Sequence, residues 1–153
     1  MGTRRPSLTD LVVRHELIAL DSCMLIYHLE GNESFAPAAR EVFSCIEDGR
    51  THAVVSTLAL LEIQVAPYRH KAEDLADCNY ALLRQLRNCR WVDMTYELAD
   101  RAARLRAEYR LATPDAIHLA TAIECGATLF VTNDSALPDM PEIQLVQIAP
   151  YAR

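Results

Sequence analysis

Short apolar runs separated by helix-length segments constrain this chain more than any other feature. Residues 17–20, Leu-Ile-Ala-Leu, are apolar throughout and stop abruptly at Asp21-Ser22, as a short buried strand does. Residues 52–55, 91–94 and 128–132 are predicted as three further strands, and 144–148 alternates like a last, edge strand. From Cys23 to the break at Gly31-Asn32 the apolar spacing is mixed, so a helix is expected directly after the first strand. Residues 35–48 put Ala38, Val42, Phe43 and Ile46 on one helical face and end at Gly49. A helix from 58 to about 66, capped by Ser56 or Thr57, is expected to stop ahead of Pro67. A polar-faced helix over roughly 72–89 has Leu75, Leu82, Leu83 and Leu86 as its stripe. Residues 96–109 gather Leu98, Ala102, Leu105 and Tyr109 on one side, with Glu97–Arg101 and Asp100–Arg104 pairs on the wet face. Thr113-Pro114-Asp115 reads as a helix start, with a capping hydroxyl, Pro at the first helical position and an acid in the first turn. That helix extends to Gly126.

Strands that alternate with helices imply an α/β fold, with a mostly parallel central sheet covered by helices on both faces. A chain of 153 residues fits one domain. Residues 1–16 are expected to form an N-terminal arm, loose or briefly helical, and 17–153 a single domain.

Composition narrows the function classes. A hydrophobic share of 51% against 24% charged residues supports a packed core, not a disordered chain. The net charge of −6 excludes a whole-protein basic field, so nucleic-acid binding needs a local basic patch. Five scattered cysteines, Cys23, Cys45, Cys78, Cys89 and Cys125, form neither a C-x-x-C pair nor a Cys/His cluster, which argues for reduced core thiols. No signal-peptide apolar region follows Arg4 and Arg5. The most apolar long window, 53–68, is too short and too polar to span a bilayer. A cytoplasmic protein without a membrane partner is expected.

The carboxylates carry the chemistry. Asp21 ends the first predicted strand and Asp134 ends the fourth. Glu62 lies within the apolar helix that follows the second strand, and Asp115 opens the helix after Thr113. Parallel sheets bind ligands at the carboxyl ends of their strands, where such acids would meet. Each also has a structural explanation: Asp21 as a helix cap, Asn133-Asp134 as a turn, Asp115 as a dipole complement. Glu62 is harder to explain that way, because a carboxylate among apolar neighbours must be paired, protonated or metal-bound. Four converging acids without matching cations favour a site for a hard divalent cation such as Mg²⁺, which takes oxygen ligands and keeps several waters. One or two such ions can activate water and stabilise an in-line displacement at phosphorus. Ser22, Thr132 and Asn133 are placed to hydrogen-bond around the acids. His118, one turn after Asp115, has the chemistry of a general base, but a histidine packed within the domain is the better reading.

Asp21-Ser22-Cys23-Met24-Leu25-Ile26-Tyr27, Glu62 after Ser56-Thr57, the segment from Pro114-Asp115-Ala116-Ile117-His118 to Ala122, and Phe130-Val131-Thr132-Asn133-Asp134 occur in this order. This order resembles the PIN-domain ribonucleases, and among them the VapC-type toxins of toxin–antitoxin pairs. The resemblance runs from about Leu17 to Ile148. It implies a three-layer α/β/α sandwich and a metal-dependent endoribonuclease that leaves a 5′-phosphate and a 3′-hydroxyl. It also implies Mg²⁺ or Mn²⁺, one or two ions, held by Asp21, Glu62, Asp115 and Asp134, a small antitoxin partner and a homodimer. The segment ahead of Leu17 departs from the many toxins that begin almost at the first strand.

For an RNA substrate, Arg69, His70 and Lys71 are candidates for a basic rim, with Arg84, Arg87 and Arg90 behind them; a solvated helix face explains each as well. A phosphatase with Asp21 as nucleophile is disfavoured, because Cys23 stands where a second acid is wanted. A non-catalytic PIN-like module that binds RNA or protein is the main alternative; it predicts loss of an acid, and none is lost.

Overall fold

A computed structural model describes Gly2 and residues 4–152. Five strands form one sheet: β1 (Leu17–Leu20), β2 (His52–Ser56), β3 (Cys89–Val92), β4 (Leu129–Thr132) and β5 (Gln144–Gln147). Their order is β3-β2-β1-β4-β5, and every neighbouring pair is parallel. Ile18 lies between Ala53 and Leu129, and Ala19 between Val54 and Phe130. The chain therefore builds outward from β1 to β3, then returns to add β4 and β5 on the other side. The connections diverge between β1 and β4, and a crevice at the carboxyl ends of such strands is where open α/β sheets bind ligands. The two ends are tied together, since the Asp21 backbone N–H donates to the Val131 carbonyl at 3.0 Å.

Seven α-helices accompany the strands among the described residues: α1 (Leu8–Val12), α2 (Ser22–Glu30), α3 (Ala36–Glu47), α4 (Leu58–Arg69), α5 (Glu73–Arg84), α6 (Tyr96–Tyr109) and α7 (Thr113–Glu124). Successive strand residues face opposite sides of a sheet, and two cores result. Ile18, Leu20, Val55, Leu129 and Val131 pack with Met24, Leu25, Val42, Phe43 and Leu83 on one side. Ala19, Val54 and Phe130 pack with Leu98, Leu105, Ala116 and Leu119 on the other. This is the α/β/α sandwich expected, with a sheet that is parallel throughout. Ahead of β1, residues 8–12 adopt the helical alternative; Leu8 and Val12 are fully buried and α1 rests on α3. No helix among the described residues is long and apolar enough to cross a membrane.

Several boundaries differ from expectation, for local reasons. Helix α4 does not stop ahead of Pro67 but includes it. In the last turn a proline costs one helical hydrogen bond, while the Pro67 ring is buried and its carbonyl accepts the Ala72 N–H at 2.8 Å. Helix α5 ends at Arg84, and β3 begins at Cys89, two residues earlier than the pattern suggests. Asn88 causes this: it takes a left-handed φ of 55° and its side-chain amide donates to the Ile46 carbonyl at 3.0 Å. Asn tolerates that conformation better than most residues. Leu75 and Leu82 fall outside the expected stripe, exposed at 53% and 50%, and α5 buries Ala76, Asn79 and Leu83 instead. Ala112, not Thr113, caps α7, with no side-chain bond. Arg101 pairs with Glu124 of α7 at 3.7 Å, not with Glu97, whereas the Asp100–Arg104 pair forms at 3.1 Å.

Phe130 is the largest fully buried side chain, at 1% exposure. Phe130→Ala is expected to cost about 3–5 kcal/mol through lost burial and a residual cavity. At about 2–4 °C per kcal/mol the melting temperature should fall by roughly 6–20 °C. Differential scanning calorimetry checks this, and an unchanged melt would place the ring outside the core.

Candidate functional site

Asp21 follows β1 directly and caps α2 from an extended backbone conformation. Both carboxylate oxygens are engaged: Oδ1 accepts the Ser22 backbone N–H at 2.8 Å, and Oδ2 accepts the Thr132 hydroxyl at 2.7 Å. Asp21 is 8% exposed, so burial and two donors hold its carboxylate in one orientation. Capping and membership of an acidic site are thus not alternatives here. Thr132, the last residue of β4, also accepts the Asp134 backbone N–H at 3.0 Å. A single hydroxyl therefore joins the acid after β1 to the acid after β4. Further along that loop, Asp134 Oδ1 accepts the Ala136 N–H at 2.9 Å, and the Gln147 amide donates to the Asp134 carbonyl at 2.6 Å.

Glu62 enters from the second turn of α4. Its Oε2 accepts the Ser22 hydroxyl at 3.3 Å, and its Oε1 lies 2.5 Å from His118 Nε2 on α7. Asp115 precedes His118 by three residues, so both occupy one face of α7. The Asp115 carboxyl is raised above the ordinary carboxylate range, first by burial, then by the charges of Asp21 and Asp134, with a smaller push from Glu62. His118 acts in the opposite direction. Ser22 bonds to both Asp21 and Glu62, Thr132 to Asp21 and the Asp134 backbone, and His118, one turn after Asp115, to Glu62, at the carboxyl ends of β1 and β4.

Of the expected hydrogen-bonding residues, Ser22 and Thr132 reach the acids. Asn133 does not: its amide donates to the Tyr27 hydroxyl at 3.2 Å and accepts the Ala149 N–H at 3.0 Å, bracing the loop after β4. His118 is buried within the domain, as a packed histidine would be, yet it also bonds to Glu62. Two signals for that bond are present in the sequence: the helical i, i+3 spacing from Asp115, and a Glu62 that needs a partner. The pair is 56 residues apart, however, and only the fold joins them.

Cys23 lies beside the cluster, but burial, then the Asp21 charge, pushes its thiol up to about 12. A protonated thiol is a poor nucleophile, so the side chains available for chemistry here are oxygen ligands. Among the described residues, no three His, Cys, Asp or Glu side chains stand close enough together to hold a metal ion by themselves. Mg²⁺ does not require them to, because it keeps several waters and uses few protein carboxylates. An all-oxygen donor set whose members repel one another fits such an ion.

The model of the PIN domain family matches residues 18–143. Among solved structures, a toxin–antitoxin complex from Klebsiella pneumoniae is similar at 23% identity and a TM-score of 0.64, over 85% of this chain and 96% of that one. VapBC2 from Rickettsia felis, bound to a DNA fragment from its promoter, is similar at 15% and 0.65, over 86% and 98%. VapC20 from Mycobacterium tuberculosis, a Sarcin-Ricin loop cleaving toxin, is similar at 15% and 0.60, over 74% and 86%. No curated protein matches the sequence. At these identities the structural likeness is one of fold, while the family match covers most of the chain and all four acids. The chain belongs to the PIN domain family.

Proposed function

We propose that the chain is a metal-dependent endoribonuclease that hydrolyses RNA phosphodiester bonds, acting as the VapC-type toxin of a toxin–antitoxin pair. The observation that carries this reading is the hydrogen-bonded chain at the carboxyl ends of β1 and β4. In it Thr132 joins Asp21 to the Asp134 backbone, and Glu62 is held by Ser22 and by His118, one helical turn after Asp115. A Sarcin-Ricin loop cleaving toxin and toxin–antitoxin complexes among the similar structures support it.

In this reading Asp21, Glu62, Asp115 and Asp134 would hold Mg²⁺ or Mn²⁺, one or two ions, in part through the waters such an ion keeps. Bound there, such an ion would supply a water of lowered pKa and charge stabilisation at the phosphorus during in-line displacement. The chain supplies orientation. Thr132 and the Ser22 amide fix Asp21, and the Ser22 hydroxyl and His118 fix Glu62. The oxygen of a water would bond to phosphorus as the bond from phosphorus to the 3′-oxygen breaks, with one proton of that water ending on the leaving oxygen, giving a 5′-phosphate and a 3′-hydroxyl. Arg69, His70 and Lys71, exposed at the end of the helix that carries Glu62, are the candidates for phosphate contacts.

A small antitoxin is the proposed protein partner, and a homodimer the proposed assembly. Leu61, Val65 and Tyr68 on α4 are exposed at 60%, 41% and 52%. Their i, i+4, i+7 spacing forms one apolar stripe, which suits a protein contact.

Incubating the purified protein with a mixed pool of structured RNA, in Mg²⁺, in Mn²⁺ and in EDTA, tests the activity. The expected result is cleavage with either metal and none in EDTA. A folded protein that binds RNA without cutting it under any of the three conditions would contradict the nuclease and favour a binding module.

A further inference from the structure

We propose that His118 is a positioning residue: with Ser22 it clamps the Glu62 carboxylate from both sides and sets its orientation for cation binding before a cation arrives. The proposal rests on the functional reading above. His118 Nε2 lies 2.5 Å from Glu62 Oε1, and the Ser22 hydroxyl donates to Oε2 at 3.3 Å. The two donors come from α7 and α2, and the acceptor from α4, so three separate elements meet at one carboxylate.

Burial separates this arrangement from an ordinary surface pair. The His118 side chain is 2% exposed and that of Glu62 is 31% exposed. The imidazole is thus the fixed member, anchored in the wall of the site, and the carboxylate is the member that faces outward. His118 Nδ1 is buried and has no hydrogen-bond partner. Leaving a buried polar atom unpaired is costly, and an apolar side chain of similar size would avoid that cost. What the imidazole contributes and an apolar residue cannot is the Nε2 contact to Glu62. A glutamate side chain has several rotatable bonds, and its carboxylate would otherwise lose that freedom only when it met the cation. Residues that hold a metal ligand from behind typically change metal affinity by about 10–100-fold when removed.

The test uses the full chain, stripped of metal, with Mn²⁺ as the probe. Mn²⁺ affinity is measured by calorimetry for wild type, His118→Leu and His118→Gln, and cleavage is measured as a function of Mn²⁺ concentration. His118→Leu should weaken Mn²⁺ binding by about 10–100-fold. It should also raise the Mn²⁺ needed for half-maximal cleavage far more than it lowers the rate at saturating metal. His118→Gln, which keeps a donor to Glu62, should recover most of the affinity. Equal affinities for wild type and a folded His118→Leu, or equal losses in the Leu and Gln variants, would overturn the proposal.

A thermal double-mutant cycle in EDTA, combining His118→Leu with Glu62→Ala, which removes the acceptor, reads the clamp without metal or RNA. Non-additive melting temperatures are expected, and additive ones would overturn the clamp. Wild-type protein that binds no Mn²⁺ would overturn the metal reading and with it the cation-orienting role, even if the cycle showed the contact to be real.

Discussion

Asp21→Asn is expected to lower RNA cleavage by at least about 10³-fold while the protein stays folded. The substitution removes a negative charge from the site and leaves one oxygen in place of two. If charge stabilisation by a bound cation contributes several kcal/mol, losing about 4 kcal/mol corresponds to that factor, at about 1.4 kcal/mol per tenfold. The fold survives because the local bonds can be remade. With the amide oxygen still accepting the Ser22 N–H, the amide nitrogen faces the Thr132 hydroxyl, which can accept as well as donate. Cleavage rates beside a thermal melt check this. A folded Asp21→Asn protein that cuts RNA at the wild-type rate would remove Asp21 from the site.

Asp115→Asn separates activity from stability, with opposite signs. Cleavage should fall as steeply as for Asp21→Asn. The metal-free protein, however, should melt at a higher temperature than wild type at neutral pH. The carboxyl of Asp115 is raised above its ordinary 3.8 by burial and by Asp21 and Asp134. The folded chain therefore binds this proton more tightly than the unfolded chain does. Stability from this group is fully present below 3.8 and is lost as the pH rises through the folded value. Asn is neutral at every pH, so its advantage should be absent below 3.8, grow across the window above it and persist at neutral pH. Saturating Mg²⁺ should reverse the order, because a ligand bound to the native state stabilises wild type more than a variant that binds it weakly. Melting in EDTA and in Mg²⁺ at several pH values checks all three statements. An Asp115→Asn protein less stable than wild type in EDTA at neutral pH would contradict the idea that the acids repel one another.

Much of the fold is legible in the sequence because each face of a buried strand has its own demand for apolar residues. Residues 17–20 can satisfy both cores only as a strand, and β1 has the expected ends. Helix α6 also has the expected span, since Leu98, Ala102 and Leu105 keep helical spacing over about two turns and all three are buried. What periodicity misses are positions decided by a single tertiary contact. The Asn88 amide reaches the Ile46 carbonyl, which shifts β3, and burial of Pro67 lets α4 continue past it. At the candidate site, each acid stands out by its place after a strand or in a helix. The partners do not, because bonds such as His118 to Glu62 and Thr132 to Asp21 span 56 and 111 residues. Asn133 shows the converse: adjacency in sequence to Asp134 does not bring its amide to the acids.

Asp21, Glu62, Asp115 and Asp134 are proposed to form one cation site. Calorimetric titration of Mn²⁺ into metal-stripped wild type, Asp21→Asn, Glu62→Gln, Asp115→Asn and Asp134→Asn tests it most directly. One or two bound ions are expected in wild type, with weaker binding in each of the four variants. No binding by wild type, or unchanged affinity across all four variants, would contradict it.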